Sequence, residues 1–295
     1  MADFCTLCPR KCNTDRSKGI GFCKVKDTLQ VARAALHFWE EPCISGTRGS
    51  GTIFFCGCNL GCVYCQNTEI SRGTSGKEIN TRRLCEIFLE LQEKGAHNIN
   101  LVTPTHYIRQ IAEALADAKD KLTVPVVYNC GGYESSNGLS LIDNYIDIFL
   151  TDMKYADNSL AKRYSCAPDY CEVSMTALEY MLNSTGTPVF DNEGIMKSGV
   201  IVRHLVLPSC REDSVKLLKK LKSAFGTDSF ILSLMSQYTP NGNLDAFPEI
   251  NRRITSFEYN YVVNTALDLG FTNAYIQERS SASRAYIPPF NSEGV

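Results

Sequence analysis

Three cysteines stand within one short run, Cys58-Asn-Leu-Gly-Cys62-Val-Tyr-Cys65, directly after the apolar stretch 51–56. Three thiolates on one tight loop can hold three corners of a cubane iron–sulfur cluster. The fourth iron is then left without a protein ligand, free to bind and activate a small molecule. Structural zinc is the competing reading, and it usually asks for a fourth Cys or His close by. After Cys65 the next cysteine is Cys85, within an expected helix, and the next histidine is His97. Cys56 lies in the strand run and reads as a small hydrophobe. The loop therefore demands a scaffold that presents a strand end to a ligand.

The rest of the chain reads as such a scaffold. Strand runs fall at 51–56, 98–102, 125–129, 147–151, 200–207 and 230–234. Between them Leu84, Ile87, Phe88 and Leu91 repeat at helical spacing, stopped by Gly95. Ile108, Ile111, Ala112 and Leu115 do the same. Val215, Leu218 and Leu221 mark a further helix ending at Gly226, and a late helix covers 256–269. Apolar strands between amphipathic helices indicate a parallel sheet covered by helices. Six strands fit a partial (β/α)6 TIM-type barrel in the α/β class; a doubly wound sheet fits the periodicity too. Short strands are expected around Trp39, and 157–199 reads as an enlarged connection beside the barrel. Residues 1–45 form a small N-terminal cysteine-rich module with short strands, and 46–295 the barrel with a C-terminal extension.

Net charge is −2, with no basic block, which argues against a broad nucleic-acid face. No signal sequence opens the chain and no apolar run is long enough to span a membrane. A cytoplasmic location is expected, where fourteen cysteines suggest metal or cluster ligation more than disulfides.

With Tyr64 just before the last cysteine, Cys58, Cys62 and Cys65 resemble the cluster motif of the radical S-adenosylmethionine (SAM) superfamily. The run 57–67 and the N-terminal Cys5-Thr-Leu-Cys8-Pro-Arg-Lys-Cys12 together resemble an uncharacterised branch related to pyruvate formate-lyase activating enzymes. The likeness extends from Cys5 to about Tyr238. It implies the partial barrel, a [4Fe-4S] cluster on Cys58, Cys62 and Cys65, and SAM on the open iron. It also implies an electron donor such as flavodoxin or ferredoxin. The implied reaction is reductive cleavage of SAM to a 5′-deoxyadenosyl radical that takes hydrogen from a substrate, such as a glycyl residue of a partner enzyme. Radical modification of another peptide or small molecule is the alternative, as is a non-enzymatic electron carrier or redox sensor.

In parallel α/β folds, sites gather at the carboxyl ends of strands. Strand two ends in Thr103-Pro-Thr-His106, where many relatives carry Gly-Gly-Glu against the SAM amino group. Thr103 and Thr105 stand there instead, Thr105 being either a contact or a helix N-cap; His106 is either a surface or a site residue. The run 128–133 resembles the Asp-Thr-Asn-Gly segment of the activating enzymes, which implies that Asn129 takes the place of a SAM-contacting acid, before a glycine pair that permits either close ligand approach or a tight turn. Asp152 and Lys154 match a SAM-contacting pair and share one strand face; an ordinary salt bridge is the alternative. Arg203 either faces inward to bind a carboxylate or forms a buried ion pair, and His204 packs under a helix. Gln237 and Tyr238 lie where a substrate or adenine pocket would be lined, with Met235 in the core. Cys5, Cys8, Cys12 and Cys23 offer four soft ligands for zinc or a second, closed cluster. A cluster there would relay electrons or anchor substrate; zinc would be a staple.

Overall fold

The computed structural model describes residues 4–73, 75–277 and 287–295. Chain order runs β1 (Leu29–His37), α1 (Pro42–Ser45), β2 (Ser50–Phe55), α2 (Thr68–Ser71), β3 (Lys77–Ile79), α3 (Thr81–Glu93), β4 (Ile99–Val102), α4 (Ile108–Ala118) and β5 (Val126–Cys130). It continues through α5 (Ser136–Leu139), β6 (Ile148–Asp152), α6 (Asn158–Ser165), α7 (Tyr170–Thr185), β7 (Val189–Phe190), β8 (Met196–Leu205), α8 (Arg211–Phe225), β9 (Ile231–Met235), α9 (Ser256–Asp268) and β10 (Ala274–Ile276).

All six expected strands are present, as β2, β4, β5, β6, β8 and β9. They run parallel in the order β9-β8-β6-β5-β4-β2, with β10 adding a seventh parallel strand beside β9. At the other edge β1 and β3 pair antiparallel. The sheet curls without closing, a partial TIM-type barrel. The short strands expected around Trp39 are one long strand that ends at His37, leaving Trp39 in the following loop. The connection 157–199 does more than pack alongside. Its helix α7 is the crossover between β6 and β8, and Ala177, Leu178 and Met181 enter the main core.

Alternation along the strands divides the interior in two. Tyr128, Phe149, Val200, Val202 and Leu232 face outward and pack under the helices, with Leu84, Ile87, Phe88, Leu178 and Leu218. Val127, Ile148, Leu150, Ile201 and Ile231 face inward, where Cys43 and Ile44 of α1 stop the barrel floor. Period two then places Asn129, Asp152, Arg203 and Ser233 one step above that apolar layer on the same inner face. Asp152 is paired with Arg203, and Arg203 with Ser233. His204 points the other way, buried, its Nε2 2.8 Å from Ser214 Oγ of α8. Among the described residues no helix is long and apolar enough to cross a membrane.

Candidate functional site

The loop after β2 is fixed from several sides. Gly57 adopts φ +90°, and a Cβ there would meet Cys23 O at 2.7 Å, so only glycine turns the chain at this point. Cys58 N donates to Cys23 O at 3.1 Å, Gly61 N to Ser165 O at 3.1 Å, and Val63 N to Tyr164 O at 2.8 Å. The Asn59 amide donates to Tyr133 O at 2.6 Å, and that of Asn241 to Cys65 O at 2.7 Å. Around the loop lies a tyrosine-rich cap of Tyr64, Tyr133, Tyr155, Tyr164, Tyr170 and Tyr238. Tyr64 is buried, bonded through its hydroxyl to Tyr155 at 2.7 Å.

Cys58, Cys62 and Cys65 are free thiols, half-buried, on the wall of one cavity of about 280 Å³. Burial pushes the Cys58 and Cys62 thiols up; the neighbouring thiols add to this, and Lys154 opposes it. A soft cationic centre that binds thiolates would relieve that cost. As a donor set, three thiols on one loop facing a shared cavity fit a cluster with one open iron. Among the described residues no three His, Cys, Asp or Glu side chains gather closely enough for a single metal ion, at this loop or at the N-terminal cysteines.

The opposite wall carries a charged network. Asp152 bonds Lys154 Nζ at 2.6 Å and Arg203 Nε at 2.9 Å. Arg203 also donates to Asn129 Oδ1 at 2.6 Å and to Glu40 Oε2 at 3.3 Å. The other Glu40 oxygen accepts from Asn100 at 3.2 Å and from Asn129 at 3.4 Å. Burial alone would push Asp152 up, but Lys154 and Arg203 outweigh it and hold the carboxyl below its ordinary range. Burial holds Glu40 and Glu41 above theirs, against the pull of Arg203.

Of the expected site residues, Tyr64, Thr103, Asn129, Asp152, Lys154, Arg203 and Gln237 line this cavity with the three cysteines. Thr103 sits at φ +59°, a strained backbone for a β-branched residue, of the kind that concentrates at functional sites. Thr105 is turned away. Its hydroxyl donates to Glu134 Oε1 at 2.8 Å, so it neither caps a helix nor reaches the cavity. His106 is at neither surface nor cavity but buried under the loop, its Nε2 2.7 Å from Cys56 O. Met235 lines the cavity and is not core. Glu40 was not anticipated. It rises from the β1–α1 loop through the barrel floor, and its only sequence signal is the pair Glu40-Glu41 before Pro42. His37, Trp39 and Phe54 also join the lining. A larger cavity of about 660 Å³ beside the N-terminal module includes none of these strand-end residues.

Of the glycine pair after β5, Gly131 lines the cavity and Gly132 makes a close approach within the protein. Gly132 has φ +78°, and a Cβ there would stand 2.1 Å from Asp152 O. Gly132→Ala is expected to cost about 1–2 kcal/mol from the left-handed backbone alone. It should also displace Asp152 and loosen its ion pairs with Lys154 and Arg203, read as a lower urea midpoint; an unchanged midpoint would show that the network tolerates the shift.

This barrel and cysteine loop define a class. The sequence profile "Radical SAM superfamily" matches residues 52–197, from within β2 into β8, and the chain belongs to that superfamily. It is 30% identical over 278 residues to the "Uncharacterized protein MJ0674" of Methanocaldococcus jannaschii, a match covering 90% of this chain and 73% of that protein. Among solved structures it is similar in fold to Streptococcus suis SuiB bound to its precursor peptide SuiA, with TM-score 0.52, 11% identity, and coverage of 75% of this chain and 46% of that one. SuiB bound to S-adenosylmethionine gives TM-score 0.51 at 11% identity, covering 75% and 47%. The FeFe-hydrogenase maturase HydG of Carboxydothermus hydrogenoformans gives 0.52 at 11% identity, covering 80% and 55%. The chain spans about half the length of these solved structures.

Proposed function

We propose that the chain binds a [4Fe-4S] cluster on Cys58, Cys62 and Cys65, holds SAM beside it, and abstracts hydrogen from a protein substrate, a glycyl Cα of a partner enzyme. The observation that carries this reading is one cavity lined both by the three thiols and by Asn129, Asp152, Lys154 and Arg203. When bound, the cluster supplies the electron that cleaves SAM to methionine and a 5′-deoxyadenosyl radical, which takes a hydrogen atom from the substrate. The chain's own residues bind and orient. Lys154 and Arg203 offer donors to a carboxylate, while Asp152 and Asn129 offer oxygens to an ammonium group. Because the network is already bonded within itself, these groups are set in place before any ligand arrives. Phe54, Leu205 and Met235 supply an apolar wall that keeps water from the reacting atoms. A protein substrate is supported by the exposed Trp39 on the same lining and by SuiB, a structural neighbour solved with a precursor peptide. We infer a second metal or iron–sulfur site at Cys5, Cys8, Cys12 and Cys23, a low-potential donor such as flavodoxin or ferredoxin, and a reducing cytoplasm as the setting.

The test is an anaerobic assay of reconstituted protein with SAM and dithionite, read as 5′-deoxyadenosine by mass spectrometry. Product is expected from the wild type and none from Cys62→Ala. Cluster-loaded wild type that makes no product would overturn the reading. With a candidate partner labelled by α-deuterated glycine, deuterium should appear in the 5′-deoxyadenosine; label left in place would move the target to another residue.

A further inference from the structure

The N-terminal module is the largest set of chemical groups that SAM cleavage leaves unused. Its first turns are closed by Cys5 N to Thr14 O at 3.1 Å and Asn13 N to Cys5 O at 3.2 Å. Lys11, Asn13 and Lys24 take left-handed backbone, with φ 41°, 48° and 68°, and bend the chain around Cys12 and Cys23. Both of those sulfurs lie 3.3 Å from where a Cβ on Gly21 would sit. Gly21 therefore keeps space open between them. Cys8 lies within electrostatic reach of Cys5 and Cys23, and Cys23 within reach of Cys5 and Cys12. The quartet has a polarity. Cys8 and Cys23 are buried, whereas Cys5 and Cys12 are only half-buried.

Cys23 of the buried pair meets the cluster loop. Cys23 O accepts the backbone N–H of Cys58, the first cysteine of that loop, at 3.1 Å. A single hydrogen bond thus joins the two cysteine sets, and the path from sulfur to sulfur is otherwise covalent. Arg10 locks the module against the loop. Its guanidinium stands 3.8 Å from the Phe22 ring and 4.9 Å from the Tyr133 ring, and donates to Asn59 O at 2.7 Å. Lys11, Lys18, Lys24 and Lys26 of the module are exposed, Lys18 paired with Asp15 at 3.5 Å. Residues 1–27 hold six Lys or Arg and three Asp, a local charge of +3 on a chain of net charge −2.

Resting on the reading of Cys58, Cys62 and Cys65 as ligands of the catalytic cluster, we propose that Cys5, Cys8, Cys12 and Cys23 hold a second, closed iron–sulfur cluster that relays electrons to it. The donor would be a low-potential one-electron carrier with an acidic face, docking on the lysine-rich surface. Four thiolates leave no iron open, so this centre carries electrons and binds no substrate. Zinc has no redox chemistry, and among the described residues no three of these side chains gather closely enough for a single metal ion. The balance is simple. The carrier loses one electron, the N-terminal centre gains it and passes it on, and no covalent bond or proton changes place.

Iron, sulfide and zinc are counted per chain in anaerobically reconstituted full-length protein, and reduction of the loop centre by reduced flavodoxin is followed by stopped flow and electron paramagnetic resonance. The wild type should hold about eight irons, and Cys5→Ala/Cys12→Ala and Cys58→Ala/Cys62→Ala/Cys65→Ala about four each, at four per cluster. In Cys5→Ala/Cys12→Ala, reduction by flavodoxin should vanish while reduction by dithionite persists. Lys11→Glu/Lys24→Glu should keep both iron sets and slow the flavodoxin step about tenfold at low salt, as expected for lost steering. Zinc at the N-terminal cysteines overturns the proposal, as does an iron-free loop variant that remains folded by circular dichroism. A flavodoxin rate unchanged without N-terminal iron, or in Lys11→Glu/Lys24→Glu, overturns the relay. Two iron sets and normal reduction without 5′-deoxyadenosine would sink the proposed function alone, because both readouts precede SAM cleavage.

Discussion

Arg203→Met is expected to cost the fold about 3–5 kcal/mol, the usual penalty for removing one partner of a buried charge network, and to abolish SAM binding. Among the described residues, Arg203 is the one cation that touches Asp152, Asn129 and Glu40 together. Methionine keeps most of the stem and its packing, so the loss isolates the charge. Without the guanidinium, Glu40 and Glu41, already pushed up by burial, rise further. Asp152 loses one of the two cations that hold it down. Acids whose pKa is higher in the folded than in the unfolded chain keep protons that the unfolded chain releases. Folding is then favoured as pH falls. The variant's deficit should therefore be larger at pH 8 than at pH 5.5 in urea titrations of the metal-free protein. Adding Glu40→Gln should recover part of it, because the two sites share a contact. A deficit below about 1 kcal/mol, flat with pH, would mean that water screens the network as it does surface pairs.

The same network marks what the sequence could and could not disclose. Asn129, Asp152 and Arg203 were legible because strand period and the carboxyl-end rule act locally: each sits two residues beyond an apolar inward residue of its own strand. That period also turned His204 outward, where it packs against Ser214 of α8. Glu40 obeys neither rule. It belongs to an irregular loop at the amino ends of the parallel strands, and its position depends on α1 stopping the barrel floor, a contact between distant parts of the chain. Thr105 was misread for the related reason that its partner, Glu134, lies 29 residues away on another loop. The gathering of Cys58, Cys62 and Cys65 on one cavity wall was legible, since their spacing keeps them on one short loop after β2. The return of the 287–295 segment onto β1, where Ala34 N donates to Glu293 O at 2.8 Å, has no local signal at all. Its side-chain ties, Arg33 to Glu293 at 2.7 Å and Phe290 against Phe54, join positions more than 230 residues apart, which no local pattern reveals.

Glu134→Gln is expected to remove a pH-dependent component of stability worth about 5 kcal/mol across its span, at about 1.4 kcal/mol per pKa unit. Glu134 is buried between the barrel and the N-terminal module. It accepts from Thr105 at 2.8 Å and from Tyr128 at 3.0 Å. Burial outweighs those bonds and raises its carboxyl from 4.5 to about 8. The folded protein therefore keeps a proton that the unfolded chain loses above its own pKa. This stabilisation is complete below about pH 4.5 and is lost as pH rises toward 8. The glutamine variant stays neutral throughout, so its unfolding free energy should change less steeply than that of the wild type between pH 5 and 8. Urea midpoints at several pH values in that interval give the comparison. Parallel curves would mean that Glu134 is ionised in the folded protein and that its two donors suffice to hold the charge. The consequence reaches the N-terminal cysteines. Ser135, the next residue, donates to Leu7 O at 2.7 Å, and Cys8 lies within the field of the Glu134 carboxyl. Ionising Glu134 puts a negative charge within reach of Cys8, whose thiol it helps to hold up, so the pH dependence contributed by Glu134 and the neutrality of Cys8 belong to one buried patch.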